Sequence, residues 1–91
     1  MSQAPPISAR RAELLALANA LRPDLHRYCA RLMGSVIEGE DVVQDTMLRA
    51  LEALPELDDA TPLRPWLFRI AHNRALDLLR GRAVRHAEPL E

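Results

Sequence analysis

The sequence predicts an all-α domain, a compact bundle of about four helices. Two features of composition carry this reading. Ala and Leu dominate and are strong helix formers, while β-branched residues are scarce. Hydrophobic residues make up 48% of the chain, ample for a helical core and too many for a disordered segment. A third observation comes from the punctuation: Pro23, Gly34, Pro55, Pro62 and Gly81 divide the chain into pieces of helical rather than strand length. With 91 residues there is room for one domain and a modest core.

The elements follow in order. Residues 1–7 read as a loose tail, residues 8–86 as the domain, and residues 87–91 as a C-terminal tail. Ser8 can cap a first helix to about Leu21, with Leu14, Leu15, Leu17, Ala18 and Leu21 as its apolar stripe. Pro23 biases Arg22 away from helix and suits the first turn of a second one, to about Met33. Leu25, Tyr28, Cys29 and Leu32 share a face there, and Gly34 is the expected stop. Ser35-Val36-Ile37-Glu38 has capping-box spacing and opens a third helix to about Leu54, ended by Pro55. Its inward positions are expected to be Val36, Val43, Met47, Ala50, Leu51 and Leu54, with Asp41, Asp45, Leu48 and Glu52 outside and Gln44 beside them. After an acidic loop, Pro55 to Thr61, a fourth helix starts at Thr61 and Pro62 and continues to about Arg80, with Gly81 as its stop. Leu63, Leu67, Ile70, Ala71 and Leu78 form its core face. Arg69, Asn73, Asp77 and Arg80 line the opposite side, and from Arg82 onward the chain is expected to fray.

The net charge of −1 conceals a polarity. Between Glu38 and Asp59 eight acids face one arginine, Arg49, whereas between Ala60 and His86 six arginines face one acid, Asp77. Such a dipolar chain fits either two partners of opposite charge or two solvated helix faces. Every basic residue is arginine, a side chain that grips phosphate or carboxylate with two parallel hydrogen bonds and stacks on planar groups. Cys29 is the single cysteine, so no disulfide framework is possible and a cytoplasmic location fits. No signal peptide and no apolar run of membrane-spanning length is seen.

The basic helix can track a phosphate backbone through its arginines, and the Asn73 amide can read a base edge. Trp66 or Phe68 can stack on an unpaired base, although Trp66 reads first as a core residue. On the acidic helix, Asp41 and Asp45 at i, i+4 are compatible with acid–base or metal chemistry, but a convex helix face lacks the concavity and further ligands that either needs. An arginine-bearing protein surface is the better partner, and a plain solvated helix face is the ordinary alternative for such a pair. His26, His72 and His86 have no metal spacing, with one another or with Cys29. His26 and Cys29 lack an orienting partner or an oxyanion motif, and no phosphate loop, serine elbow or zinc motif is present. An enzyme is therefore not expected, nor a cofactor, a metal or a small-molecule substrate.

These residues together resemble a known family. Glu40-Asp41-Val42-Val43-Gln44-Asp45-Thr46-Met47 is similar to the "E-D-hydrophobic-V-Q-acid-T-F" signature of region 2 in bacterial extracytoplasmic-function (ECF) sigma factors. Trp66-Leu67-Phe68-Arg69-Ile70-Ala71-His72-Asn73 is similar to its "W-L-x-x-I-A-x-N", and Arg74 to Arg80 continues as "R-x-x-D-x-x-R". Leu21 to Gly34 fits the preceding helix, and the likeness covers about residues 14–86.

The resemblance implies a sigma region 2 fold and a transcription initiation function. In that family the acidic helix docks on the clamp helices of the RNA polymerase β′ subunit, which assigns Asp41, Gln44, Asp45, Leu48 and Arg49 to docking. The basic helix and the loop before it meet the −10 promoter element on the non-template strand. By position, Arg64, Trp66, Arg69, Asn73, Arg80, Arg82 and Arg85 are the DNA-binding candidates. Leu57, Asp58, Asp59, Ala60 and Thr61 match a loop that captures a flipped-out base, and Asp58 or Asp59 can accept from a base amino group. An anti-sigma factor is a further implied partner. The alternative is a sigma-like mimic that binds only an anti-sigma factor, as a partner switch. Met47 replaces the usual phenylalanine, and Leu57 an aromatic that bears on base preference. The family normally continues into a linker and region 4, which reads the −35 element; this sequence ends at Glu91, so the expectation is region 2 alone.

Overall fold

The computed structural model describes residues 7–87, and the side chains of residues 9–83. Those residues form three α-helices and a short 3-10 turn: α1 Ile7–Met33, α2 Val36–Ala53, the turn Leu54–Glu56, and α3 Leu63–Ala87. The expected tail residues 1–6 and 88–91 lie outside the described residues.

The bundle has three helices rather than about four, because the first two expected helices are one. Pro23 lies inside α1. It cannot donate to the carbonyl of Asn19, and its ring crowds that carbonyl, a cost of about 3 kcal/mol. The helix continues because Leu14, Ala18, Leu21, Leu25, Cys29 and Met33 form one buried stripe on both sides of the proline. Full burial of a leucine is worth about 1.5–3 kcal/mol, so Leu21 and Leu25 alone offset the lost hydrogen bond. Pro23 itself is exposed. Leu15, expected on the stripe, is exposed instead. Since the helix already begins at Ile7, Ser8 is not its cap.

Gly34 ends α1 as expected. Its φ of +72° is the left-handed conformation that turns the chain without a Cβ penalty. The Gly34 and Ser35 amides both donate to the Ala30 carbonyl, at 2.8 and 3.2 Å. Ser35 then caps α2, its Oγ accepting from the Glu38 amide at 3.2 Å. Only this half of the capping box forms. The Glu38 carboxylate instead meets Arg82 Nη2 of α3, at 2.5 Å.

α2 packs against both other helices and carries Val42, Val43, Thr46 and Ala50 fully buried. Its inward face is centred on these residues, and Val36, expected inward, is 67% exposed. Gly39 lies on the α1 side. A Cβ there would stand 2.6 Å from both Cα and N of Ala30, so the two backbones touch at this point.

The connection to α3 is shaped locally. The Leu57 amide closes the 3-10 turn on the Leu54 carbonyl at 3.0 Å, Asp58 Oδ1 accepts from the Ala60 amide at 3.0 Å, and the Thr61 amide donates to the Asp58 carbonyl at 2.9 Å. α3 begins at Leu63, and Pro65 sits in its first turn, where no backbone donor is needed. The helix does not stop at Gly81 or fray at Arg82. It runs to Ala87, with the Arg82–Glu38 ion pair tethering the turn that contains Gly81.

The two glycines give opposite expectations. Gly39→Ala drives a methyl into the α1 backbone and should destabilise the domain by about 1–3 kcal/mol. Gly81→Ala, with nothing within 4 Å of the new Cβ, should stabilise it by about 0.5–1 kcal/mol. Thermal melts of the two variants beside the parent chain check both signs.

Candidate functional site

The acidic helix presents one clean outer stripe. Ile37, Asp41, Gln44 and Leu48 recur at i, i+4, i+7 and i+11 and so stand on one side of α2. All four are exposed, Ile37 to 77% and Leu48 to 61%. Asp41 has no ion-pair partner among the described residues, unlike three other acids of the helix. Glu38 is paired with Arg82, Glu40 with Arg22 at 2.5 Å, and Asp45 with Arg49 Nε at 2.8 Å and Arg74 Nε at 2.5 Å. The Arg74 N–H does not point along its line to Asp45, so that contact is an ion pair rather than an aligned hydrogen bond.

Of the five residues expected to dock, Asp41, Gln44 and Leu48 therefore form a free surface. Asp45, with its side chain 33% exposed, and Arg49 form a flank whose charges already hold each other. Ile37 and Arg74 were not anticipated. Ile37 was legible as an isoleucine four residues before Asp41 and eleven before Leu48, on the polar side. Beside this stripe a cleft of about 300 Å³ is lined by Met33, Glu38, Asp41, Asp45, Arg74, Leu78 and Arg82. Two α2–α3 ion pairs stand along it, so part of the basic charge of α3 is engaged by the acids of α2.

That engagement sorts the basic candidates. Arg82 is turned onto Glu38. Arg80 lies 3.3 Å from Asp77, with both side chains more than half exposed, a contact worth little in water. Arg69 and Asn73 are exposed on the outer side of α3, and neither Arg64 nor Arg69 has an acidic partner among the described residues. The Arg85 side chain lies outside the described residues. Trp66 packs half-buried against the core and also lines a cleft of about 240 Å³ with Arg49, Ala53, Ile70, Asn73, Arg74 and Asp77. Its ring thus belongs partly to the core and partly to a wall beside Asn73.

The loop 57–61 is held from an unexpected direction. Arg10, in the first turns of α1, is only 7% exposed. Its guanidinium donates to the Asp58 carbonyl at 3.3 Å and the Asp59 carbonyl at 3.4 Å, and its Nε lies 3.9 Å from Asp59 Oδ1. The anchored loop packs Leu57 half-buried against the core and leaves Asp58, Asp59 and Ala60 exposed, with Thr61 half-buried. No signal in the sequence linked Arg10 to residues about fifty positions away.

The remaining reactive residues are engaged structurally. Cys29 is buried in the core, and burial pushes its thiol up to about 11, so it carries no thiolate at neutral pH. His26 Nε2 is 3.1 Å from the Val36 carbonyl, and His72 Nδ1 shares a hydrogen bond of 2.7 Å with the Tyr28 hydroxyl. Among the described residues no cluster of three or more His, Cys, Asp or Glu could hold a metal, and no helix is long and apolar enough to cross a membrane.

The family model described as Sigma-70 region 2 matches residues 17–85. The chain belongs to the sigma-70 region 2 family. Its similar proteins point to the ECF branch of that family. It is 40% identical over 80 residues to the ECF RNA polymerase sigma factor SigG of Mycobacterium tuberculosis, which covers 88% of this chain and 22% of that protein. It is 45% identical over 64 residues to SigL of the same organism, covering 68% of this chain and 36% of that protein. Over 47 residues it is 51% identical to the RNA polymerase sigma factor NccH of Alcaligenes xylosoxydans xylosoxydans, covering 52% of this chain and 25% of that protein. The chain thus spans between 22% and 36% of the length of these relatives. No solved structure matches it.

Arg10→Met retains the apolar stem and removes the loop's anchor. It should lower stability by about 1 kcal/mol and speed hydrogen exchange of the Thr61 amide, whose acceptor is the Asp58 carbonyl. Exchange followed by NMR, with a core amide of α2 as internal standard, reads the difference.

Proposed function

We propose that this region 2 domain acts in transcription initiation by docking on the β′ clamp helices of RNA polymerase through α2 and by recognising and melting the −10 element through α3 and the loop 57–61. The observation that carries the docking reading is the stripe Ile37–Asp41–Gln44–Leu48. Two large apolar side chains stand exposed, flanking a carboxylate and an amide that the fold leaves free. An arginine-bearing coiled coil offers the complement: guanidinium groups for Asp41 and Gln44, and aliphatic stems and apolar seam residues for Ile37 and Leu48. Asp45, between Arg49 and Arg74, would take part by sharing a carboxylate that already has partners.

For the promoter strand the support is the exposed pair Arg69 and Asn73, with Trp66 beside them and the anchored loop before them. A charged side chain fixes a phosphate without reading sequence, whereas an amide reads a base edge. A stiff, pre-shaped loop lowers the ordering cost of capturing a flipped base. Against the mimic that binds only an anti-sigma factor, the argument narrows to Arg64, Arg69 and Asn73, because Arg82 is engaged with Glu38. An anti-sigma factor, a non-catalytic role and a location in the cytoplasm with the polymerase belong to the same reading.

The deciding experiment is selection of single-stranded oligonucleotides from a randomised pool at two salt concentrations. A short enriched motif, bound less tightly as salt rises, supports the promoter reader; no enrichment at either salt sinks it and favours the mimic.

Asp41→Arg, at the exposed carboxylate that no described arginine engages, should abolish binding to a β′ clamp-helix fragment while the melt stays within a few degrees of the parent; Asp45 is left intact because its carboxylate joins Arg49 and Arg74. Unchanged affinity would remove α2 from the interface. Asn73→Ala should flatten discrimination among −10 sequences, roughly 1–3 kcal/mol at the base it reads, more than it lowers overall affinity. Equal loss on every sequence would make Asn73 a positioning residue.

A further inference from the structure

Two guanidinium groups converge on a single carboxylate oxygen. Arg49 of α2 and Arg74 of α3 each bring Nε to Oδ2 of Asp45, at 2.8 and 2.5 Å. One oxygen does not serve both. Arg49 donates an aligned hydrogen bond to it, whereas Arg74 Nε is buried and has no hydrogen-bond partner. A buried donor left unmet is unfavourable, so Asp45 is an imperfect occupant of this double cation. The carboxylate is tied to α2 and offers both arginines the same atom. An anion that is not tied can present one oxygen to each.

The same two arginines line the cleft that contains Asn73. Trp66, Ile70, Asn73 and Asp77 recur at i, i+4, i+7 and i+11 on the α3 wall, and Arg49 lines the cleft from α2, around about 240 Å³. The cations therefore stand beside the amide that reads a base, on the same side of α3. Their side chains are 49% and 28% exposed, and that of Asp45 is 33% exposed. Ion pairs so open to water exchange partners at little cost. Guanidinium groups match the oxygens of a phosphate, and a backbone phosphate has two non-bridging oxygens, one for each arginine. An acidic peptide would also answer the charges, but it gives no use to the half-buried Trp66 ring and the exposed Asn73 amide on the same lining.

We infer that Arg49 and Arg74 form a grip for one backbone phosphate of the strand beside Asn73, and that Asp45 is an internal anion occupying this grip until the strand displaces it. This rests on the promoter-strand reading. It brings into strand binding two α2 residues, Asp45 and Arg49, that the resemblance gives to docking.

The test starts from the oligonucleotide the parent chain retains from the pool, remade with an uncharged methylphosphonate at each linkage in turn. One linkage should stand out, its neutralisation weakening the parent about fivefold. Arg49→Gln should weaken binding of matched and mismatched strands by the same factor, since a phosphate contact carries no sequence information, and should no longer respond at that linkage. Asp45→Asn should bind every strand about threefold to fivefold more tightly than the parent, a gain that shrinks as salt rises. Glu52→Gln, an exposed acid of α2 without an ion-pair partner among the described residues, controls for bulk charge and should gain less. Most of the Asp45→Asn gain should vanish when Arg49→Gln is added. Melts of all variants run alongside, and the linkage scan on the parent and Arg49→Gln decides the matter even where Asp45→Asn fails to fold. If Arg49→Gln responds to every linkage as the parent does, or the Asp45→Asn gain equals that of Glu52→Gln or persists with Arg49→Gln, the grip is overturned while the −10 reading stands. If neither the parent nor Asp45→Asn retains any strand, both fall. If only Asp45→Asn retains one, the internal anion is confirmed as the obstacle. If the strands ignore these variants while a polyglutamate peptide is lost with Arg49→Gln, the arginine pair belongs to a protein partner.

Discussion

The contact between Gly39 and Ala30 sets the frame of this domain. Two backbones can approach this closely only where one side chain is a hydrogen atom and the other a methyl. With α1 and α2 drawn together there, the valines at 42 and 43 enter the core instead of standing off it, and α2 rotates so that Ile37, Asp41, Gln44 and Leu48 face outward. The acidic signature and its tightest packing point thus share one short segment. The glycine serves the signature indirectly, by fixing the azimuth of the helix that displays it.

Charge is the second organising quantity. The chain carries nearly equal numbers of acids and arginines, and the structure divides each set into members that hold helices together and members left for solvent. Glu38 and Asp45 link α2 to α3, and Glu40 links it to α1 through Arg22. These pairs are partly exposed, so their value lies less in stability than in fixing which carboxylates remain uncommitted. Among the described residues Asp41 and Glu52 of α2 remain, and on the basic side Arg11, Arg27, Arg31, Arg64 and Arg69. A surface with many possible partners becomes a surface with a few definite ones.

Much of this was legible in the sequence. The helical class, the Gly34 stop, the Ser35 cap and the exposed face around Asp41 and Leu48 follow from local rules that hold in isolation. What was not legible depended on tertiary context. Pro23 reads as a helix boundary because the rule for proline is local, whereas the stripe that overrides it is assembled by the whole core. Gly81 and Arg82 read as a helix end because Glu38, the residue that holds that turn, is more than forty positions away. Thr46 is fully buried although it is polar, because α2 is packed on two sides and its inner face is wider than one apolar stripe. Arg74 and Arg82 read as charges facing solvent or nucleic acid because the acids that engage them stand on a different helix.

The anchor of the loop has a practical consequence for where the domain begins. The family match starts at residue 17, and a fragment trimmed to residues 17–85 would keep both signature motifs intact. It would lack Leu14, one of the fully buried side chains, and Arg10, the cation that fastens the loop ahead of α3. Such a fragment could fold and still present residues 57–61 as a slack segment. Measurements of base capture on it would then describe the cut and not the protein, because the working edge of the domain lies beyond the edge that the family match draws.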